Sequence, residues 1–391
     1  MTTRRSKLPD VGTTIFTVIS RRAEELGAVN LGQGFPDYPI DPRLTELVTA
    51  AMQAGFNQYA PMAGLPALVA RIAADTRQRH GIEPDPQQCV TVTLGATEAI
   101  FSAIQALVGS GDEVIVFDPA YDSYDPAVRL AGAHCVHVPL LPPTFAYDWD
   151  RVRAAITPRT RMVIVNSPHN PACTVMSRAD LRQLAQLAES HDLIVLSDEV
   201  YEHLVYDGAM HCSVLSEPSL RTRSLAVFSY GKALHATGLR VGYCIAPAEL
   251  TVELRRVHQF NTFTIATALQ HAIAAYLTEK PAVYADLPAF FSAKRALLTA
   301  GLAGSVLRVL PSQGTYFTLV DYTQSQVLGG LDDTEAARVL LEQVGVAAIP
   351  LAPFYREPVK HRLLRLCFAK QDATLSKALE RLRTLQSACR C

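Results

Sequence analysis

The stretch from 161 to 198 contains the architecture in small: RMVIVN at 161–166, SRADLRQLAQLAES at 177–190 and LIVLSD at 193–198. The outer two segments are short apolar runs of the kind that strands buried on both faces require. The middle segment reads as a helix that starts at Ser177, with Asp180 in the capping-box position. Strand, helix and strand in this order predict a parallel pair joined by a crossover, the building unit of an α/β protein.

Outward from this unit the pattern repeats. Further strands are expected at 90–94, 113–117, 134–140, 224–229 and 241–246, with an amphipathic helix over 97–108 entered through Gly95. After about residue 250 come two or three helices and then a change of texture. Strands at 307–310, 315–320, 347–350 and 363–368 alternate with helices near 333–344 and 374–387. The expected fold is therefore α/β, a mainly parallel central sheet with helices on both faces plus a smaller α+β domain. The divisions fall at 1–45 (an N-terminal arm and part of the small domain), 46–285 (the large domain) and 286–391 (the small domain). The first 40 or so residues lack clear periodicity and are expected to join the small domain or cover the site.

Composition narrows the function. The chain has 391 residues, and 36 Lys+Arg against 37 Asp+Glu leave a formal charge of -1, which argues against a nucleic-acid footprint. Apolar residues at 49% and charged residues at 19% exclude disorder as the main state. No apolar run approaches the roughly 18 residues of a membrane span, and Arg4-Arg5 is not followed by an export-type apolar stretch. The eight cysteines (89, 135, 173, 212, 244, 367, 389 and 391) contain no CxxC, so neither a disulfide framework nor a zinc site is expected, and the compartment reads as reducing cytoplasm. His134 and His137 stand three apart on a strand and so face opposite sides, which is poor for a metal; none is expected. Lysine is scarce: there are seven, and none between Lys7 and Lys232.

Three features lie where strands of the large domain end, the place where open α/β sheets bind ligands. In Leu94-Gly95-Ala96-Thr97-Glu98 a strand passes through glycine into a helix, aiming backbone N–H groups and the Thr97 hydroxyl at an anion. In Leu196-Ser197-Asp198-Glu199-Val200-Tyr201 an aspartate ends a buried strand, a costly place without a cation or donors, although a helix N-cap explains Asp198 alone equally well. In Phe228-Ser229-Tyr230-Gly231-Lys232, followed by Gly238-Leu239-Arg240-Val241-Gly242, Ser, Lys and Arg have the spacing S-x-x-K-x7-R. This is no Walker loop, because Ala233 follows the lysine. Together these are the parts of a pyridoxal phosphate site: a lysine amine for the aldehyde, an aspartate for the pyridinium nitrogen, and Arg, Ser and a helix N-terminus for the phosphate.

The chain resembles fold-type I, class I aminotransferases over nearly its full length, and within them bacterial methionine aminotransferases and the kynurenine–oxoglutarate transaminase and cysteine-conjugate β-lyase group. The resemblance rests on the segments 30–37, 57–64, 118–124, 166–171, 197–203, 229–232 and 364–370. It implies that Lys232 binds the cofactor aldehyde and then moves the substrate Cα proton. Asp198 would pair with the pyridine nitrogen, Tyr201 and Asn170 with the phenolate oxygen, and Tyr121 would stack on the ring. Gly95, Ala96, Thr97, Ser229 and Arg240 would hold the phosphate, and Arg365 the substrate carboxylate with help from Asn170 and the backbone of Gly34. Tyr59 and Phe263 would reach the neighbouring subunit's site in a homodimer. The implied reaction is ping-pong transfer between an L-amino acid and a 2-oxo acid, with an uncharged, methionine-like or aromatic donor. Phe16 and Tyr38 are further pocket candidates. Where the family has Asn-Pro-Thr/Leu-Gly, this chain has Asn170-Pro171-Ala172-Cys173, and loss of the glycine is expected to change that turn. Two rival readings are a cysteine-conjugate β-lyase, using the same lysine, and a non-catalytic aminotransferase-like sensor.

Overall fold

The computed structural model describes residues 6–385. Helix α1 (Ile15–Glu25) starts at Thr14, whose hydroxyl accepts the Thr17 N–H at 3.4 Å. It buries only Ile19 and Ala23, against Leu341, Ala347, Ile349 and Phe354. Half-buried Ile15 and Phe16 extend the same stripe, so the helix is amphipathic, where no clear periodicity was expected. Strand β1 (Val29–Asn30) then pairs in parallel with Val346–Ala347, which ties the N-terminal arm to the C-terminal part of the chain. Helices α2 (Pro42–Gln53) and α3 (Pro66–His80) follow, each with proline in its first turn, and pack on helix Thr267–Glu279.

The central sheet uses β2 (Val90–Thr93), β3 (Glu113–Asp118), β4 (His134–Pro139), β5 (Thr160–Asn166), β6 (Ile194–Asp198), β7 (Ser224–Ser229) and β8 (Gly242–Ile245). Their order across the sheet is β2-β8-β7-β6-β5-β3-β4. Every pair is parallel except the two made by β8, which runs antiparallel between β2 and β7. The expected mainly parallel sheet is present. Met162 and Ile164 of β5 pack on one face with Ile100 and Ile104 of helix α4 (Gly95–Leu107) and Val128 of helix α5 (Tyr124–Leu130). Val163 and Val165 pack on the other face with Leu181 and Leu184 of helix Arg178–Ser190. That helix carries the capping box read from Ser177 and Asp180.

Register sets the site. Asn166 lies opposite Asp198 across β5 and β6, and Ser229 opposite Gly242, which in turn lies opposite Thr93. The polar ends of three parallel strands, the start of β8 and the end of β2 therefore share one edge. Helix α4 begins there, two residues beyond Thr93.

A second sheet is antiparallel, in the order β12-β13-β10-β9, and consists of β9 (Arg308–Val309), β10 (Phe317–Asp321), β12 (Ile349–Pro350) and β13 (Leu363–Cys367); β11 (Val346–Ala347) is the partner of β1. The expected strand at 347–350 is thus two short ones serving different sheets. The expected helix at 333–344 is α-helical over Asp333–Val339 and widens to a π turn over Leu340–Val344. The last helix spans Asp372–Leu382, and the end of its expected range, with Cys389 and Cys391, lies outside the described residues. The six described cysteines are all free. Among the described residues no helix is long and apolar enough to cross a membrane.

Candidate active site

A cavity opens at the shared edge, with empty space of about 590 Å³, part of it continuous with solvent. That lies within the roughly 300–1,000 Å³ usual for small-molecule sites. Its walls include Ala96, Thr97, Tyr121, Asn170, Asp198, Tyr201, Ser229, Lys232 and Arg240, so nine of the residues singled out from sequence converge on one space. Gly95 adjoins it, with φ +72 and so little room that a Cβ would stand 2.8 Å from Arg240 Nη2. Glycine is needed there both for the left-handed backbone and for the guanidinium beside it. Gly242 serves the same wall: a Cβ on it would meet the Gly95 carbonyl carbon at 2.7 Å and the Ala96 nitrogen at 2.8 Å. Strand β8 can therefore lie directly against the start of α4.

Asp198 is buried at the end of β6, and its carboxylate accepts the Tyr124 hydroxyl at 2.6 Å and the Val200 N–H at 3.4 Å. Burial pushes its carboxyl up to about 6, against the opposing pull of the Tyr124 bond, the Val200 N–H and the Lys232 charge. Lys232 sits in the short helix Tyr230–Ala233 that follows β7. Its amine lies 5.7 Å from the centre of the Tyr201 ring and 5.8 Å from that of Tyr316. Burial, and then the Arg240 charge, pull that amine down to about 8. Burial also raises the phenols of Tyr201 and Tyr121, which keeps both protonated at neutral pH.

Arg365 is 1% exposed in the middle of β13. It donates from Nη1 to Asn170 Oδ1 at 2.7 Å and from Nη2 to the Gly32 carbonyl at 2.9 Å, while Nε has no partner. The guanidinium carbon lies 3.9 Å from the Phe317 ring centre and 5.1 Å from that of Phe16. Gly34 is not joined to Arg365; its carbonyl accepts the Tyr316 hydroxyl at 2.5 Å. Tyr38 is held between His235 and Phe290, at 5.2 and 5.6 Å between ring centres, with its hydroxyl buried and unpartnered. Tyr59 (83% exposed) and Phe263 (41% exposed) do not line the cavity; they meet edge to face on the surface, 5.4 Å apart. At the departure from the family's turn, Cys173 itself takes the left-handed conformation that glycine favours, φ +62, with its side chain buried.

Sequence reasoning gave no role to Asn166, Tyr124 or Tyr316. Asn166 donates to the Asp198 carbonyl at 2.9 Å and accepts the Asn170 N–H at 2.7 Å, which fixes the loop carrying Asn170. Its position as the polar last residue of a buried strand was the available signal. Tyr316 and Tyr124 carried none, because their partners come from distant segments.

The donor set fits pyridoxal phosphate. A lysine amine stands in the same cavity as a buried carboxylate, and glycine keeps open a cup between the start of α4 and an arginine. The orphaned Nε of Arg365 leaves capacity for a further anion.

The geometry thus defines a class, α/β enzymes whose sheet edge presents a lysine amine and a buried carboxylate to one small-molecule cavity. Within that class the chain belongs to the family Aminotransferase class I and II, whose profile matches residues 27–382. It is an aminotransferase, and pyridoxal phosphate is the cofactor of its family. The chain is 49% identical to the methionine aminotransferase of Escherichia coli (strain K12) over 381 residues, 97% of this chain and 98% of that one. A solved E. coli structure described by a methionine aminotransferase function superimposes with a TM-score of 0.95, at 48% identity, covering 98% of this chain and 99% of that one. N-succinyldiaminopimelate aminotransferase from Mycobacterium tuberculosis superimposes with a TM-score of 0.93 at 41% identity, covering 97% and 99%. Human kynurenine–oxoglutarate transaminase 1 is 34% identical over 392 residues, 92% of this chain and 93% of that one.

Proposed function

We propose that this aminotransferase takes its amino group from an L-amino acid with an uncharged side chain, methionine-like or aromatic, and passes it to a 2-oxo acid. The observation that carries this reading is the setting of Arg365: a buried guanidinium with an unpartnered Nε between the rings of Phe16 and Phe317, which on this reading receives the substrate carboxylate. Among the described residues the cavity's walls hold two cations, Lys232 and Arg240, both committed to the cofactor on this reading, while Arg365 stands outside those walls and joins them through Asn170. Relatives that act on methionine and kynurenine support it.

Bound pyridoxal phosphate would supply an electron sink for the substrate Cα. Arg365 binds the α-carboxylate by two parallel N–H donors, and Asn170, already bonded to Arg365, sets the fork's angle. That anchoring fixes which Cα bond faces Lys232, so orientation selects the proton to be removed. Lys232 Nζ, with its pKa lowered toward neutrality, takes that proton and returns it. Asp198, kept in place by Tyr124, would pair with the ring nitrogen of the bound cofactor. Tyr201 and Asn170 would hold the phenolate oxygen, Tyr121 would take the ring, and Gly95, Ala96, Thr97, Ser229 and Arg240 would receive the phosphate.

We further read the enzyme as a homodimer in which Tyr59 and Phe263 complete the neighbour's site; their exposure beside Phe260, 86% exposed, supports a covered surface. On this reading residues 46–285 carry the cofactor, and 1–45 with 286–391 close over the substrate. Six free cysteines fit a reducing cytoplasm.

The test is a donor screen with one 2-oxo acid acceptor and all twenty amino acids, the product 2-oxo acids being identified by mass. Methionine and aromatic donors should lead. A leading acidic donor would overturn the substrate reading, and pyruvate with ammonia from a cysteine conjugate would mark the β-lyase instead. Lys232→Ala should hold cofactor without turnover; full turnover by it would remove Lys232 from the chemistry.

A further inference from the structure

We propose that Cys135, His137 and Asp125 form a three-ligand site for a zinc-class divalent cation at the edge of the large sheet, with Asp118 as the outer partner of the histidine. Strand alternation puts His134 and His137 on opposite faces but Cys135 and His137, two apart on β4, on the same one. Helix α5 packs on β4 and brings Asp125 to them. One ligand atom from each of the three lies within 4.8 Å of the others. His137 Nε2 is 3.8 Å from Asp125 Oδ1. Around a tetrahedral zinc ion, with bonds of about 2.0–2.3 Å, neighbouring ligand atoms stand roughly 3.3–3.8 Å apart. The group therefore needs closing by about 1.5 Å at most, within the reach of side-chain rotation.

The orientation of each group agrees with this use. His137 Nδ1 is bonded to Asp118 Oδ1 at 2.8 Å, which leaves Nε2 as the nitrogen facing Asp125. A carboxylate behind a ligating histidine is the usual outer partner in zinc sites. Asp118 is itself fixed, 3% exposed, with its other oxygen accepting the Arg356 N–H at 2.8 Å. Arg129 takes Asp125 Oδ2 at 3.2 Å, so Oδ1 is the oxygen turned to the site. Arg129 also pairs with Asp10, which Arg356 approaches at 3.9 Å, so Asp10 is held away from the three ligands. One thiolate, one imidazole and one carboxylate are the ligand types zinc accepts, and the partly exposed face of Asp125 leaves the fourth position to water. Binding sends the Cys135 thiol proton, and any second proton on His137, to solvent; nothing is oxidised or reduced. None of the three ligands lines the active-site cavity, so the ion has a structural part: it clasps the edge strand β4 to α5.

The competing arrangement is metal-free: a protonated His137 bridges Asp118 and Asp125, and the Cys135 thiol donates to Asp125; the sulfur ligation of a bound ion separates the two. The experiment uses the untagged holoenzyme in a Cys389→Ser/Cys391→Ser background, so that tail thiols do not compete. After treatment with a chelator, the protein is titrated with Zn2+ against a chromophoric chelator, and the zinc-loaded form is studied by X-ray absorption. The expected result is one zinc per chain with a single sulfur ligand. Cys135→Ser and His137→Gln should each weaken binding at least tenfold with the transamination rate near that of the parent; without zinc, Cys135→Ser should keep the parent's melting temperature, whereas His137→Gln, which loses the ion pair with buried Asp118, should melt lower. Failure to bind zinc, a spectrum without sulfur, or unchanged affinity in both variants would each overturn the proposal. The spectrum and stoichiometry of the parent decide the matter even if a variant does not fold.

Discussion

The Tyr124 hydroxyl donates to Asp198 Oδ2 at 2.6 Å, joining two buried groups from α5 and β6. The pair brings a carboxylate into the protein interior and limits what burial does to it. Burial pushes Asp198 up to about 6, and the Tyr124 bond is the largest influence holding it back. A folded pKa above the unfolded value means that Asp198's contribution to stability is complete below about pH 4 and is lost as pH rises through about 6. Tyr124→Phe moves the folded value higher still and extends that loss. In the cofactor-free protein the variant should be destabilised by about 1–3 kcal/mol at pH 8, and by less at pH 5. Urea unfolding at the two pH values measures this, and an equal loss at both would contradict it.

Lys232 carries the opposite sign. Its folded pKa of about 8 lies below the ordinary 10.5, so the cofactor-free chain bears a penalty that is full below about pH 8 and gone above about 10.5. Lys232→Met removes the buried ammonium and retains the apolar stem. The cofactor-free variant should be more stable than the parent by about 1–3 kcal/mol at pH 7, with the gap closing by pH 10.5, and it should show no transamination. A variant that is less stable at pH 7 would mean that Lys232 has a favourable partner when the cofactor is absent.

Arg365→Lys keeps the charge and loses the fork. A lysine at this position cannot bond Asn170 and Gly32 while also offering two parallel donors to a carboxylate. On the proposed reading kcat/KM should fall by about 10²–10³, or roughly 3–4 kcal/mol, mostly through KM for the amino acid. Cofactor absorbance and affinity should stay as in the parent. Loss of cofactor with unchanged KM would place Arg365 at the wrong ligand.

The parts of the site legible in sequence are those whose signal is local. Asp198 ends an apolar run, Lys232 follows one after a long stretch without lysine, and Arg365 interrupts one. Each conflicts with its immediate surroundings, and that conflict marks a site. Tyr124 and Tyr316 could not be found this way, because the first meets a residue 74 positions away and the second one 282 positions away. Those contacts depend on sheet order and on the arm folding back, which periodicity does not encode. Helix α1 was legible and went unread: Ile15, Phe16, Ile19 and Ala23 recur at helical spacing and form one apolar stripe. The exposed pair Tyr59 and Phe263 is a different case, since its proposed partner is another copy of the chain.

The phosphate cup offers the sharpest test of the proposed cofactor geometry. Gly95 and Arg240 both have left-handed backbones, φ +72 and +54, and each constrains the other. An alanine at 95 would bear about 1–2 kcal/mol of backbone strain, and its Cβ would stand 2.8 Å from Nη2 and 3.1 Å from Cζ of Arg240. The guanidinium is on the solvent side and can yield, so the strain should be relieved by Arg240 swinging out of the cup rather than by unfolding. Gly95→Ala should therefore melt only slightly below the parent, yet bind pyridoxal phosphate at least tenfold more weakly. Arg240→Met, which removes the guanidinium without touching the backbone of α4, should reproduce most of that loss. Combining the two should add little, because both act on the same contact. A fully additive double variant would mean that Gly95 serves the cofactor through its own N–H and not through the room it leaves for Arg240.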